Sequence, residues 1–262
     1  MRKSHAAGWA PGSPTPAQLK EFFGQIDTGK ITKDSLQAFL RGDFVVSSPL
    51  TEAERMVQEI LGSGKVFGYQ EICLTWRTDL PDTEPTMLYT KDILQECAEA
   101  NAAGEANWRF SYVTGPSLRS QREFIGWNRK KQPCFNPDWT WWLESQQDGW
   151  AKQAVEPGYR LFDFTNRYSN LRWDVQGERI AELGDQFERA EEQAVAEICF
   201  STFLLNKGER LLPNWYHWGR LQTASGINRV CVGSFGQRGF DVRNWHDIPF
   251  DFLSVVLSRK SA

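Results

Sequence analysis

The feature that most constrains this fold is a helical pattern that is apolar on almost every side. Residues 190–205 repeat small and large apolar side chains at helical spacing, and the second half of this segment carries no charged residue. Such a helix must be buried on most of its sides. Asp185 and Glu188 have the spacing of a capping box, so we predict that the helix begins near Asp185. Phe203 and Leu204 are predicted core positions.

Beyond this helix the hydrophobic pattern changes to the alternation of β-strands. Residues 229–235 alternate, a Gly-rich turn follows, and residues 240–243 alternate again, which is typical of a β-hairpin. Strict alternation places Phe235 on the same side of its strand as Cys231. Residues 252–257 are mostly apolar, which favours a central strand. We therefore predict a buried helix and a small sheet in the C-terminal third.

The composition weighs against some classes of partner and scaffold. The 30 basic and 33 acidic residues nearly cancel, so no overall charge attracts nucleic acid or anionic membrane. No apolar run approaches the roughly 20 residues of a membrane helix. The five cysteines are widely spaced in apolar surroundings, which favours reduced, buried thiols in a cytoplasmic protein. None lies in a C-x-x-C pair, so we predict no metal and no cofactor.

The rest of the chain predicts a three-part organisation. Residues 1–16 are rich in Gly and Pro and are predicted to be a flexible arm. Residues 17–62 carry short amphipathic patterns and are predicted to be a small helical N-terminal module. Residues 63–262 are predicted to form the α+β main domain. The module is expected to pack onto this domain, and docking of a partner stays open as the alternative.

Helices and strands mix along the first part of the predicted main domain. The pattern predicts strands over residues 65–76, 108–113 and 159–164, and helices over residues 90–103 and 173–183. Each of these two helices is followed directly by a glycine, a common C-terminal stop.

The order strand, helix, helix and small sheet over residues 157–260 resembles the C-type-lectin-like fold. A Gly-x-Arg-Leu segment at residues 208–211 and a Trp-Gly element at residues 218–219 carry the likeness. The version it resembles is shared by formylglycine-generating enzymes and by the variable proteins of diversity-generating retroelements. The chain also resembles uncharacterised bacterial proteins in the motifs at residues 130–133, 156–159 and 215–220.

The likeness to retroelement variable proteins implies a display scaffold with its diversified positions near the C-terminus. On that plan, the predicted ligand-binding residues are Arg220, Asn228, Ser234, Gln237, Arg238, Asp241, Arg243, Asn244, Trp245, His246 and Asp247. They combine hydrogen-bonding groups with an aromatic anchor, a composition suited to recognition. The predicted function is therefore binding of a protein or a small ligand, whose identity stays open together with the oligomeric state.

Two activities of the wider fold do not match this chain. An enzyme of the formylglycine class would need a copper-binding cysteine pair, and Cys199 and Cys231 do not map onto such a motif. Calcium-dependent sugar binding would need a Glu-Pro-Asn loop, whereas residues 156–158 are Glu-Pro-Gly, without the side-chain amide.

An enzyme of another kind stays open as an alternative. Cys134 could be a nucleophile with His217 or His246 as its base, and Asp247 could orient His246. No G-x-S-x-G, P-loop or G-x-G-x-x-G fingerprint occurs. A packed, hydrogen-bonded side chain is the favoured interpretation of His217, and we assign no catalytic residue.

A third possibility is an adaptor that contacts nucleic acid through the basic cluster between Arg119 and Lys131. Acidic residues follow this cluster closely. An ion-paired or solvated surface is therefore favoured, and nucleic acid is not the expected partner.

Overall fold

The computed structural model describes residues 50–260 and, before them, Lys20, Phe23, Gly24, Ile26, Thr28, Lys33 and Gln37. The chain divides into two compact units, Met1–Ser47 and Ser48–Ala262. The predicted arm and most of the predicted helical module fall outside the described residues. The last helix of that predicted module, which ends at Leu61, belongs to the larger unit, so this boundary differs from the predicted one.

Seven α-helices lie among residues 50–260. They are α1 Glu52–Leu61, α2 Tyr69–Trp76, α3 Lys91–Ala102, α4 Leu118–Ile125, α5 Asp148–Ala151, α6 Trp173–Glu182 and α7 Glu192–Leu205. Thr51 and Glu54 form a capping box at α1, and the Thr90 hydroxyl accepts a hydrogen bond at the start of α3. The predicted helices at residues 90–103 and 173–183 are confirmed. None of the described helices combines the length and the apolar character needed to cross a membrane.

Eight strands in the same region pair into one sheet. They are β1 Val66–Phe67, β2 Trp108–Val113, β3 Gly158–Arg167, β4 Phe187–Arg189, β5 Tyr216–Gln222, β6 Arg229–Gly236, β7 Gly239–Trp245 and β8 Leu253–Arg259. The order is β1-β2-β3-β8-β5-β6-β7, with β4 also paired to β8. The β1–β2 and β5–β8 pairs are parallel and the other pairs are antiparallel. The protein is therefore α+β with a mostly antiparallel sheet, as predicted.

Strand β8 joins the two halves of the sheet. One of its sides pairs with β3, and its other side is shared between β5 and β4. Six of its seven residues are buried, as a mostly apolar strand between two neighbours requires. The predicted central strand over residues 252–257 is confirmed.

Helix α7 is the buried helix that the sequence predicts. Its residues are buried from Glu192 to Thr202, and the ring of Phe200 lies 4.8 Å from that of Phe135 between centroids. The predicted start near Asp185 is wrong, because residues 187–189 pair with the C-terminal end of β8 and form β4 instead.

The prediction of a strand over residues 65–76 is wrong for most of that range. Only Val66 and Phe67 pair with β2, and α2 follows at once. The buried carboxylate of Glu54 accepts hydrogen bonds from Tyr69 N–H at 2.7 Å and from the Tyr159 hydroxyl at 2.8 Å. A carboxylate that accepts from an N–H at the start of a helix stabilises its first turn. The alternation of residues 65–76 does not reveal this contact, because Glu54 lies in another helix.

Candidate functional site

Strands β5, β6 and β7 have two chemically different faces. Val230, Val232 and Val242 belong to the same hydrophobic core as α7. Side chains alternate along a strand, so their neighbours point to the opposite side, which we call the outer face. A second, smaller cluster forms there from Trp218, Cys231 and Leu253, with Trp173, Tyr216, Trp245 and Phe252 packed against it.

A β-bulge in β6 decides which side chains reach the outer face. The pairing of β6 with β7 shifts register between Gly233 and Gly236, and Ser234 has a φ of +46°. The predicted placement of Phe235 beside Cys231 is wrong, because the bulge puts Phe235 into the main core. Ser234 is left half-buried at the outer face. A non-glycine residue at positive φ is strained, and such residues cluster at functional sites.

The outer face contains a cavity of about 490 Å³. Its walls are aromatic: the ring centroid of Phe252 lies 5.3 Å from that of Trp245 and 6.0 Å from that of Tyr216, both edge-to-face. A cavity of this size with aromatic walls and a few polar groups is typical of a small-ligand site. The lining residues are Asn214, Tyr216, Cys231, Ser234, Arg243, Trp245 and Phe252.

Asp241 organises the polar end of the outer face from a buried position. Its two carboxylate oxygens accept hydrogen bonds from Asn136 Nδ2 at 2.6 Å and from the Tyr216 hydroxyl at 2.7 Å. Burial and the hydrogen bond to Asp241 raise the pKa of Tyr216 to about 12, so the phenol remains a donor. Asp241 therefore positions Tyr216, whereas the sequence predicts Asp241 to be a presented binding residue.

Arg243 is held at the cavity by an aromatic ring and a carboxylate. Its Cζ lies 3.1 Å from the ring centroid of Trp139. Its Nε lies 3.5 Å from Asp241 Oδ2, close enough for an ion pair. Within the described residues, however, neither Arg243 Nε nor Trp245 Nε1 has a hydrogen-bond partner, although both atoms are buried. Buried donors without acceptors are uncommon in folded proteins, and here two of them belong to residues that line one cavity.

Three of the predicted binding residues line this cavity, and four others lie in the β6–β7 hairpin away from it. The cavity-lining three are Ser234, Arg243 and Trp245. Gln237 and Arg238 form the exposed turn between β6 and β7. Asn228 donates from Nδ2 to Asn244 Oδ1 at 3.1 Å, near the opposite end of the hairpin.

The remaining predicted residues are anchored elsewhere or exposed. Arg220 lies 3.2 Å from a carboxylate oxygen of Glu188 in β4. Asp247 accepts a hydrogen bond from Trp173 N–H at 3.0 Å, at the start of α6. His246 is exposed in the segment that follows β7. The structure therefore does not gather the predicted set on one continuous face.

The geometry does not favour the enzymatic alternative. Cys134 is buried, its Sγ accepts from Gln132 Nε2 at 3.2 Å, and burial raises the pKa of its thiol, which makes it a poor nucleophile. His217 accepts from Val256 N–H at Nδ1 and contacts Ala190 O through Nε2, which therefore carries the proton. Burial lowers the pKa of His217 to about 3. Both its ring nitrogens are thus engaged by the backbone.

The cysteines and acidic groups likewise give no support to the enzymatic alternative. All five cysteines are buried and free of disulfide bonds, as predicted. Asp247, the predicted partner of His246, lies 3.4 Å from Arg172 Nε and accepts from a backbone N–H, so it contributes to the start of α6. Across the described residues, no group of three or more His, Cys, Asp and Glu side chains could hold a metal ion.

The basic cluster of the adaptor alternative is partly ion-paired. Arg119 lies 2.5 Å from Asp148 Oδ1, and Arg129 pairs with Asp138. Such pairs agree with the ion-paired surface favoured from the sequence. Lys130 remains exposed in the same segment.

Several residues that complete the cavity and its polar end are not among those predicted from the sequence. The segment containing Asn214 and Tyr216 is too aromatic for a solvated linker and too short for a helix, although Tyr216 alternates with Trp218 as a strand requires. Trp139 reaches Arg243 only through the fold, since the intervening segment comprises several helices and strands. Only the Tyr216–Trp218 alternation is a local signal that could have identified part of the site.

Comparison with known proteins found no match to a protein-family model, a curated protein or a solved structure.

Proposed function

We propose that this is a ligand- or protein-binding display protein whose recognition surface lies near the C-terminus. The observation that carries the proposal is the outer-face cavity, which combines aromatic walls with the partly exposed cation Arg243. Aromatic side chains and arginine supply much of the binding energy at protein interfaces.

The proposal includes a C-type-lectin-like part over residues 157–260, of the kind in retroelement variable proteins. The order of elements supports it, apart from the short strand β4 between the two helices: β3 is followed by α6, α7 and the antiparallel strands β5, β6 and β7, as the resemblance implies. In this arrangement the core around α7 supports one face of the sheet and leaves the outer face for recognition. A rigid support lowers the entropic cost of binding.

The proposal predicts that presented side chains can be changed without loss of the fold. We expect a variant combining Gln237→Ala, Arg238→Ala and Arg243→Gln to keep its melting temperature to within a few degrees, because the first two residues are exposed and the third is half-buried. The same variant should lose the partners that the wild-type protein captures from a lysate of its source organism.

A matched control carries Gln95→Ala, Arg55→Ala and Arg179→Gln, three exposed positions outside the outer face. Calorimetry gives the melting temperatures, and quantitative mass spectrometry gives the captured proteins. The control should capture like the wild type. We call the variant with Gln237, Arg238 and Arg243 replaced the outer-face variant. Full capture of the wild-type partners by this variant, or its unfolding at the temperature of the capture experiment, would count against the proposal.

A further inference from the structure

The hydrogen-bond donors in the outer-face cavity point to the chemistry of its ligand. Arg243 is the charged residue among those that line the cavity; the others are neutral. Its side chain is 30% exposed, so its terminal amino groups can reach a bound molecule, whereas its Nε and the indole Nε1 of Trp245 are buried. A molecule bound beside this cation is therefore expected to bring hydrogen-bond acceptors.

The nearest identified acid does not already fill this role. Both oxygens of Asp241 accept from neutral donors, Asn136 and Tyr216. Asp241 also lies 3.5 Å from Arg243 Nε, a separation at which the two charges attract without a hydrogen bond. The Asp241 side chain is only 8% exposed and does not line the cavity. The terminal amino groups of the guanidinium thus stay available to a ligand, whereas its Nε lies next to Asp241.

The remaining walls define the other part of the ligand. Tyr216, Trp245 and Phe252 surround the cavity with their rings, which favour contact with a flat apolar group. The planar fork of an arginine matches a carboxylate through two parallel hydrogen bonds. A dianionic phosphate would call for further cations, and Arg243 is the cation that this lining provides.

We infer that the outer-face cavity binds a carboxylate attached to a flat apolar group, with the terminal amino groups of Arg243 donating to the carboxylate. Tyr216 and Phe252 then pack against the apolar part. The inference rests on the proposed function, because it names the ligand class of the same surface. The carboxylate can belong to a free aromatic acid or to the C-terminus of a peptide.

Two matched pairs of probes test the inference on the full-length protein. The first pair is indole-3-acetate and indole-3-acetamide; the second is a short peptide ending in tryptophan, with a free or an amidated C-terminus. Binding is followed by the ¹⁵N signal of the Trp245 indole, assigned through Trp245→Phe. In each pair that binds, we expect the acid to bind roughly tenfold more tightly than its amide. The pair with the tighter acid identifies the source of the carboxylate.

Two substitutions of Arg243, with a third arginine substitution as the control, test whether binding depends on this residue or only on the net charge of the protein. Arg243→Gln should weaken binding of the acid by roughly tenfold or more, and Arg243→Lys should weaken it less because the charge remains. The control is Arg259→Gln: Arg259 also stacks on an aromatic ring, that of Phe187, and pairs with Glu96, but it does not line this cavity. The control should bind within about twofold of the wild type.

The outcomes distinguish this inference from the proposed function. Equal binding of acid and amide, with the Trp245 signal moving, would overturn the carboxylate assignment and leave the recognition surface standing. No movement of the Trp245 signal with either pair would overturn the inference. The proposed function would then still be decided by partner capture with the outer-face variant, which depends on no particular ligand.

Discussion

Replacing Phe200 with alanine is expected to lower the free energy of unfolding by about 3–5 kcal/mol. Phe200 is completely buried in α7. Its ring centroid lies 4.8 Å from that of Phe135, 5.4 Å from Phe235 and 5.1 Å from Phe240. The substitution therefore opens a cavity where the helix meets β6 and β7. Equilibrium unfolding in urea, monitored by fluorescence and circular dichroism, measures the effect.

Leu204→Ala on the same helix is the control for this prediction. The sequence pattern treats Leu204 as a core position, but its side chain is 38% exposed. We therefore expect a cost of about 1 kcal/mol or less. If Phe200→Ala and Leu204→Ala lowered the stability equally, α7 would not be the centre of the core.

Gly233→Ala is expected to cost about 2–4 kcal/mol, because two separate effects oppose a side chain at this position. The φ of Gly233 is +139°, a conformation that residues with a Cβ rarely adopt. A Cβ there would also lie 2.5 Å from Trp215 O and 3.0 Å from Tyr216 Cα. The β5–β6 pairing would have to move, and Tyr216 and Ser234 would move with it.

Gly226→Ala separates the two effects. Gly226 also has a positive φ, +71°, but a Cβ would meet no atom within 4 Å. It should therefore cost only about 1 kcal/mol, from backbone strain alone. Urea unfolding of both variants gives the comparison, and equal costs would show that the close approach of β5 and β6 contributes nothing.

The parts of the fold that can be predicted from the sequence are those whose burial repeats along a single element. Strand β2 is predicted over its observed range, and α3, α6 and β8 nearly so. The errors occur where distant residues decide the structure. Residues 187–189 are a strand because β8 lies beside them, and α2 begins at Tyr69 where Glu54 of α1 accepts its N–H.

The candidate site is less predictable than the fold for the same physical reason. Ser234, Arg243 and Trp245 are predicted from the sequence as binding residues, and they line the cavity. Phe235 is misplaced by strict alternation, because alternation cannot include the β-bulge that follows Gly233. Asn136, which donates to Asp241, and Trp139, which stacks against Arg243, come from another part of the chain. Such contacts leave no periodic signal.

The most direct test of the recognition surface is site-specific photo-crosslinking. A benzophenone side chain is placed at Asn214, an exposed residue that lines the cavity, and in a separate protein at Arg179 on α6. After irradiation in the source organism, we predict a crosslinked partner from position 214 and none from position 179. A partner that crosslinks from position 179 and not from position 214 would contradict the account.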